Sequence, residues 1–350
     1  MRHVEIGKGK EMSRWACERV ALAVVLAAMT VCGSSCIYIG SWGPMARYEK
    51  DVSLSAPLEP GSSFSASTGD GSIRVEGQET TECRVRATIV AHAGTAEQAA
   101  ELADQVDVRL EPTDNGLKVA IAGPHIIRNA GYSVSIAAEL PRQTSLTLVT
   151  SDGGIDITSI TGSVDARTSD GSIKAQLIDG DTKLRTSDGG ITCTQMDAPT
   201  LDLHTSDGSI RLSQATLGTG TARTSDGGIT LTDVRGDRLE LRADDGSIRC
   251  HGITTPNVDC HTSDGAIEIE FTPEAPKTLS VNATTSDGSI MLIAPPGLSA
   301  AVEAYTSDGS IQTALPITIR GKVGKSLQGT IGAGEGKVYL KTSDGSITIR

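Results

Sequence analysis

Large rings are scarce in this 350-residue chain. Two Trp, two Phe and five Tyr make up 3% of it, and no Trp lies beyond Trp42. An ordinary α/β enzyme core uses such rings to fill irregular gaps. Here a core has to come from Ile, Val, Leu, Ala and Thr, which favours β-structure in thin, regular layers. Positive charge is short as well. The net charge is −12, and residues 1–36, with five bases and three acids, leave −14 on the remainder. An acidic body argues against a nucleic-acid partner, because phosphate binding needs a basic footprint. Long apolar runs are also missing: the run at 21–31 falls short of the ~20 residues a membrane-spanning helix requires. What is abundant is Gly, at 39 residues, and the hydrophobic share of 38% is enough for a folded chain.

Residues 1–36 read as a secretory signal peptide. Arg14 and Arg19 precede the apolar segment Ala-Leu-Ala-Val-Val-Leu-Ala-Ala-Met-Thr-Val at 21–31. Met12 is an alternative start that gives the basic segment a more usual length. The stretch Gly33-Ser34-Ser35-Cys36 resembles the end of a lipoprotein signal, although Gly33 stands where Leu is usual, so Cys36 is the candidate lipidation site. Cys32 follows the bulky Val31 and fits less well. The alternative is plain cleavage without lipid. Both readings take the chain out of the cytoplasm, to the periplasm or the cell surface, with a membrane anchor if Cys36 is modified. Residues 37–50 then read as a tether, 51–145 as an N-terminal cap and 146–350 as a repeat array.

The array is carried by Thr-Ser-Asp-Gly. Its aspartates are Asp152, Asp170, Asp188, Asp207, Asp226, Asp245, Asp264, Asp287, Asp308 and Asp344, and a looser copy, Thr-Gly-Asp-Gly, sits at Asp70. Most steps are 18 or 19 residues, and such a fixed period marks a solenoid. With each Asp as position 0, position +3 is always Ile and position −4 always apolar. Alternation at −6, −4 and −2 predicts one strand, and +3 with +5 another. Ser-Asp-Gly between them reads as a turn in which Gly supplies positive φ and Asp bonds the backbone. A second turn is expected near +9 to +10, at Gly162, Gly180 and Gly236. Eighteen residues cannot bury their own apolar face, and stacking does so. The expected fold is therefore all-β: a parallel, right-handed β-helix-like solenoid of 18–19-residue repeats with a β-rich cap containing one helix. The runner-up is an antiparallel meander.

Three polar columns follow. Thr fills −2 in every copy but the one with Ala243, and its parity points it inward. The Asp column is read as turn-forming. It is also the candidate calcium site of the chain, but the Gly-Gly-x-Gly-x-Asp nonapeptide of calcium solenoids is absent, and no other cofactor is expected. Column −3 holds Arg167, Arg185, His204, Arg223, Arg242 and His261, a stripe expected to offset the Asp charge and a candidate binding face. Cys193 and Cys250 share column +5 three rungs apart, roughly 14 Å, too far for a disulfide. They, Cys83 and Cys260 read as buried small hydrophobes, and no His–Cys spacing marks a metal site. None of His3, His92, His125, His204, His251 and His261 forms a visible triad, no Asp stands out as half of an acid/base pair, and catalysis is not expected.

In the cap, Val52–Leu54, Ser72–Val75, Arg84–Val90, Gly116–Ile121 and Tyr132–Leu140 read as strands. Thr95 to Leu110 reads as the one helix, with Thr95 as N-cap. The long step from Asp308 to Asp344 suggests a modified terminal coil containing Gly321–Gly336. Over residues 50–350 the chain resembles the bacterial putative-adhesin family of β-strand repeats. The resemblance rests on Thr68 to Val75, the Thr-Ala-Glu-Gln-Ala-Ala start of the helix at 95–100, Glu139-Leu140-Pro141, Gly329 to Gly334 and Lys341 to Ile347. It implies a β-helical fold outside the cytoplasm, an adhesive or envelope role and no catalytic residues. The function expected is a non-catalytic, adhesin-like binding or structural protein whose partner is an envelope protein or a glycan. The alternatives are a carbohydrate-active enzyme on a β-helix and an envelope-stress scaffold.

Overall fold

The computed structural model describes residues 45–124, 130–319 and 324–350. The signal peptide, Cys32, Cys36, His3, His125, Gly321 and most of the expected tether lie outside the described residues. The cap comprises β1 (Ala46–Pro57), β2 (Ser63–Ser67), β3 (Ile73–Gln78), β4 (Glu82–Ala93), α1 (Ala96–Asp104), β5 (Asp107–Thr113), β6 (Gly116–Ala122) and β7 (Gly131–Pro141). β1 already begins at Ala46, inside the stretch read as tether.

The array continues with β8 (Ser145–Val149), β9 (Ile155–Thr161), β10 (Val164–Arg167), β11 (Ile173–Asp179), β12 (Thr182–Arg185), β13 (Ile191–His204), β14 (Ile210–Thr224) and β15 (Ile229–Ala243). It goes on through β16 (Ile248–Ile253), β17 (Asn257–His261), β18 (Ile267–Phe271), β19 (Ser280–Thr284), β20 (Ile290–Ile293), β21 (Ala300–Tyr305) and β22 (Ile311–Thr313). The last four strands are β23 (Thr318–Ile319), β24 (Ser326–Ile331), β25 (Gly336–Lys341) and β26 (Ile347–Ile349). The fold is a β-solenoid. Through the array each strand pairs in parallel with its equivalent one coil away, as when Ile173 lies between Ile155 and Ile191. Among the described residues, antiparallel pairs occur only towards the two ends: β1–β4, β4–β7 and β5–β6 at one, β21–β24 and β23–β24 at the other.

The Ile column lines the core. Nine of its ten members are at most 1% exposed, and Ile311, in the outermost rung, is 9% exposed. Thr150, Thr168, Thr186, Thr205, Thr224, Thr262, Thr285, Thr306 and Thr342 are buried too. Each of these hydroxyls sits across a rung boundary. Thr168 Oγ1 lies 2.9 Å from both the Ser151 and the Gly153 carbonyl oxygens of the rung before, sharing its proton between them, and accepts from Gly171 N–H at 3.3 Å. The Ser151 oxygen also accepts from Ser169 and Asp170 N–H, at 2.9 and 3.0 Å. The same set recurs at Thr186, Thr205 and Thr224.

This stacking corrects the reading of the turn glycines. None of the Gly residues at +1 has positive φ. They are Gly because a Cβ on Gly171 would stand 1.9 Å from the Gly153 oxygen, and one on Gly189 2.0 Å from that of Gly171. Positive φ appears instead at +7, in Ser159, Leu177, Gln195, Gln214 and Asp233 at 55–61°, and in Gly252 at 70°. This left-handed corner shifts the side-chain parity by one. The next inward positions are therefore at +8: Ile160, Ile178, Met196, Ala215, Val234 and Ile253, all buried. A further corner follows at +10 to +12. It is tightest in the 18-residue coils, where Gly180 takes a φ of 142°. Each coil thus bends at three places, where the sequence suggested two.

Two more readings change. The helix ends at Asp104; Val106, just before β5, and Val108, within it, are buried, β-branched residues alternating inward. Thr95 does cap it, accepting from Gln98 N–H at 3.2 Å. The rungs also do not stack in chain order at the end. β25 lies between β19 and β21, and β26 between β20 and β22. The Asp344 rung is therefore inserted between those of Asp287 and Asp308, and the long final step is the chain going out to the last rung and coming back.

Two substitutions separate the two kinds of backbone demand. Gly189→Ala should cost about 4 kcal/mol or more, because its neighbour is backbone that cannot give way. Leu177→Asn, at a left-handed position that disfavours Leu, should gain about 1 kcal/mol. Urea unfolding midpoints of the two variants check both signs.

Candidate functional site

The exterior of the array is a set of columns. The aspartates at 70, 152, 170, 188, 207, 226, 245, 264, 287, 308 and 344 are all exposed along one corner. Among the described residues no hydrogen bond or ion pair holds their carboxylates. The turns are closed by the Thr hydroxyls and the backbone, with no part played by the Asp side chains. Among the described residues no three His, Cys, Asp or Glu side chains converge as a metal-binding group.

The basic column does not reach the Asp column. Its four arginines pair instead with acids at −5, and where that position holds Lys183 or Thr221 the acid comes from the next rung. Arg167 binds Asp165 at 2.8 Å on its own strand, Arg185 binds Asp202 at 3.0 Å one rung on, and Glu240 takes Arg223 at 3.1 Å and Arg242 at 3.0 Å. The Arg223 hydrogen bond holds the Glu240 carboxyl below its usual range, with the charges of Arg242, Arg223 and Arg238 acting the same way against a desolvation cost. His261 Nδ1 lies 2.7 Å from Thr284 Oγ1, and His204 is exposed. The stripe is thus a laced acid–base ladder, with charge compensated within one face. The reading of Asp and Arg as mutually neutralising fails because strand parity sends −3 and 0 to different sides of a corner.

The left-handed corner builds a feature that the motif pattern did not disclose. Beside it an open groove of about 670 Å³ is lined by Gln195, Gln214, Thr216, Asp233, Arg235 and Glu274, with Thr254 and Thr272. Gln195, Gln214 and Asp233 occupy +7 in successive rungs, so the lining repeats at the ~4.8 Å strand spacing. A sequence signal for this corner exists: the inward apolar series runs +3, +5, +8, and that skip marks the bend. A second open depression, about 460 Å³, lies over the cap sheet at Arg74, Glu76, Glu82, Arg84 and Glu139.

The four described cysteines are free and buried. Burial pushes the Cys193 thiol up to about 12, and burial with the nearby Glu82 charge does the same for Cys83. The Cys260 thiol is raised by its hydrogen bond with Cys250 and by burial. Those two thiols face each other within one coil, a proximity that the column argument did not anticipate. His251 Nδ1 lies 3.1 Å from Glu270 Oε2 on the outer face.

These features define a repeat protein of the β-solenoid class with a polar, column-patterned exterior and open grooves. Residues 179–350, most of the array, match the family described as Toastrack DUF4097. A comparison with curated proteins gave no match. Among solved structures, a putative adhesin from Parabacteroides merdae aligns at 12% identity with a TM-score of 0.44, covering 90% of this chain and all of that one. A putative adhesin from Bacteroides fragilis aligns at 12% identity and TM-score 0.38, covering 86% and 97%. A putative lipid binding protein from Parabacteroides distasonis aligns at 14% and 0.40, covering 86% and 96%.

Two outcomes are expected. Stacked like charges repel, so Asp207→Asn should raise stability by about 0.5 kcal/mol at low salt and lose that gain in 1 M salt, where the screening length is about 3 Å; melting scans at both ionic strengths test it. The buried thiols should resist a soluble aromatic disulfide at pH 8. Because their folded pKa lies above the ordinary thiol value of 9.0, the unfolded chain ionises first and stability should fall as pH rises from 9 towards 12.

Proposed function

We propose that the chain is a non-catalytic, extracytoplasmic, adhesin-like binding protein. It is tethered to a membrane through a lipid on Cys36 and uses the groove beside the left-handed corner to bind an envelope glycan. The observation that carries this reading is the groove's lining: amides at Gln195 and Gln214, hydroxyls at Thr216, Thr254 and Thr272, and the charges of Asp233, Arg235 and Glu274 repeat along an open cleft. Amides, hydroxyls and isolated charges are the donors and acceptors that match sugar hydroxyls, and a cleft open along its length suits a chain-like ligand. The absence of large rings in the groove favours recognition by hydrogen bonding. The resemblance of the repeats to the adhesin-like family supports an adhesin-like role, and the family match over residues 179–350 supports the fold of the array. The acidic body speaks against nucleic acid.

Titration of envelope polysaccharide fragments into the full chain tests the reading. Saturable binding is expected, weakened about tenfold or more by Gln214→Ala, in keeping with the loss of one buried hydrogen-bonded pair, with no fragment shortened. Release of cleaved fragments would make the groove catalytic, and unsaturable binding would remove the glycan. Cys36→Ser should move the protein from the membrane to the soluble fraction.

A further inference from the structure

The inserted rung departs most from the regularity of the array. Consecutive rungs from β8 to β20 pair directly, but β19 and β21 are separated by β25, and β20 and β22 by β26, much as in the cap β2 lies between β6 and β8 and β3 between β7 and β9. β25 makes five residue pairs with β19 and six with β21, all parallel and in register. The turns follow: Ser343 N–H donates to the Ser286 oxygen, and Ser307 N–H to the Ser343 oxygen. Thr342 Oγ1 reaches Ser286 and Gly288, and Thr306 Oγ1 reaches Ser343 and Gly345. Val338, Leu340, Ile347 and Ile349 are fully buried between the two walls. The slot is therefore built by residues 280–313, and 336–350 fills it.

The segment fits the slot mainly through the general rung pattern, Leu at −4, Thr at −2, Gly at +1 and Ile at +3, with one added contact, Tyr339 against Tyr305 of β21 with ring centroids 6.0 Å apart. The approach is a hook. From β24 on one side of β21, residues 332–335 cross over Ser299 to reach β25 on the other side. Ala333 and Glu335 N–H donate to Ser299 Oγ at 3.1 and 3.4 Å, and Gly336 N–H to the Ser299 oxygen at 2.8 Å. Gly332 and Gly334 take the left-handed conformation, φ 59° and 74°. A short crossing that joins an inserted strand to its own slot is the arrangement from which identical segments exchange between copies, because the exchanged contacts equal the closed ones.

We infer that Gly336–Arg350 is an exchangeable rung: the slot between β19–β20 and β21–β22 accepts the same segment of a second copy, linking copies through mutual insertion. Ser299 and the 332–335 crossing are the latch that keeps each copy closed.

Ser280 and Lys337 are exposed register partners on β19 and β25, and neighbouring strands lie within disulfide reach. The full chain is prepared as Ser280→Cys, as Lys337→Cys and as both together. The doubly substituted chain should close an internal 280–337 disulfide on mild oxidation. The two single variants, mixed, incubated at high concentration and oxidised, should give a cross-copy 280–337 disulfide, identified by the mass of the linked peptide. Its share should rise with protein concentration. Ser299→Ala should speed its appearance about tenfold, the ratio corresponding to one net hydrogen bond. An internal bond in the double variant with no cross-copy bond in the mixture overturns the exchange, and failure of the internal bond overturns the insertion itself.

Discussion

Each rung of the array rests on the next through a backbone contact with no room for a side chain. The carbonyl oxygen of one turn glycine points at the α-carbon of the glycine above it, closer than any Cβ could stand. A buried threonine hydroxyl spans the same boundary, shared between two carbonyls below and accepting an amide from its own turn. Once that contact is set, the coils must lie parallel and in register. The Ile column then becomes continuous, and its dense packing is what an ordered stack of short strands can achieve without aromatic rings. The exterior follows as well: any residue facing outward becomes a column repeating at the strand spacing. The polar character of the surface is thus a consequence of the stack, whatever ligand it meets.

A parallel stack has two ends, and an unpaired edge is a template for unwanted pairing. At the start, β4 and β1 extend the sheet antiparallel, and α1 packs against them with Ala99 and Ala103 buried. The outermost strand, β1, carries Arg47, Glu49, Lys50 and Asp51, charges that discourage a further strand. At the other end the chain turns back, lays β24 antiparallel on β21 and places its final rung inside the stack. The same chain that closes the edge therefore leaves an insertion site two strands in, and stability there depends on the latch around Ser299.

Much of this was legible in the sequence, because period and parity are direct consequences of stacking. The unbroken Ile at +3, the apolar −4 and the inward Thr at −2 give the solenoid and its core face. What escaped has physical reasons. In the sequence, Gly at +1 reads as a conformational requirement, although close approach makes the same demand on composition. The left-handed corner was hidden because Leu177, Gln195 and Gln214 are not the residues that usually occupy it, and only the shift to +8 betrays it. Proximity in sequence points Arg223 and Arg242 to the Asp column, whereas the strand pleat places them beside Glu240. Insertion of the Asp344 rung could not be read at all, since every rung carries the same pattern and any one of them fits any slot. The groove at Gln214 and Arg235 was missed for the reason the corner was missed.

The acid–base ladder, the unpaired Asp column and the groove are three different outward surfaces of one scaffold, and the glycan-binding reading rests on the groove alone. All of them presuppose the order and spacing of the rungs. Pulsed electron paramagnetic resonance between spin labels on Asp152 and, in turn, Asp226, Asp264, Asp344 and Asp308 tests that order most directly, since these positions are exposed and the described native thiols are buried. The account predicts separations that grow by about 4.8 Å per rung, with Asp344 nearer to Asp152 than Asp308 is, by one rung. Separations that do not grow steadily, or Asp308 lying nearer than Asp344, would contradict it.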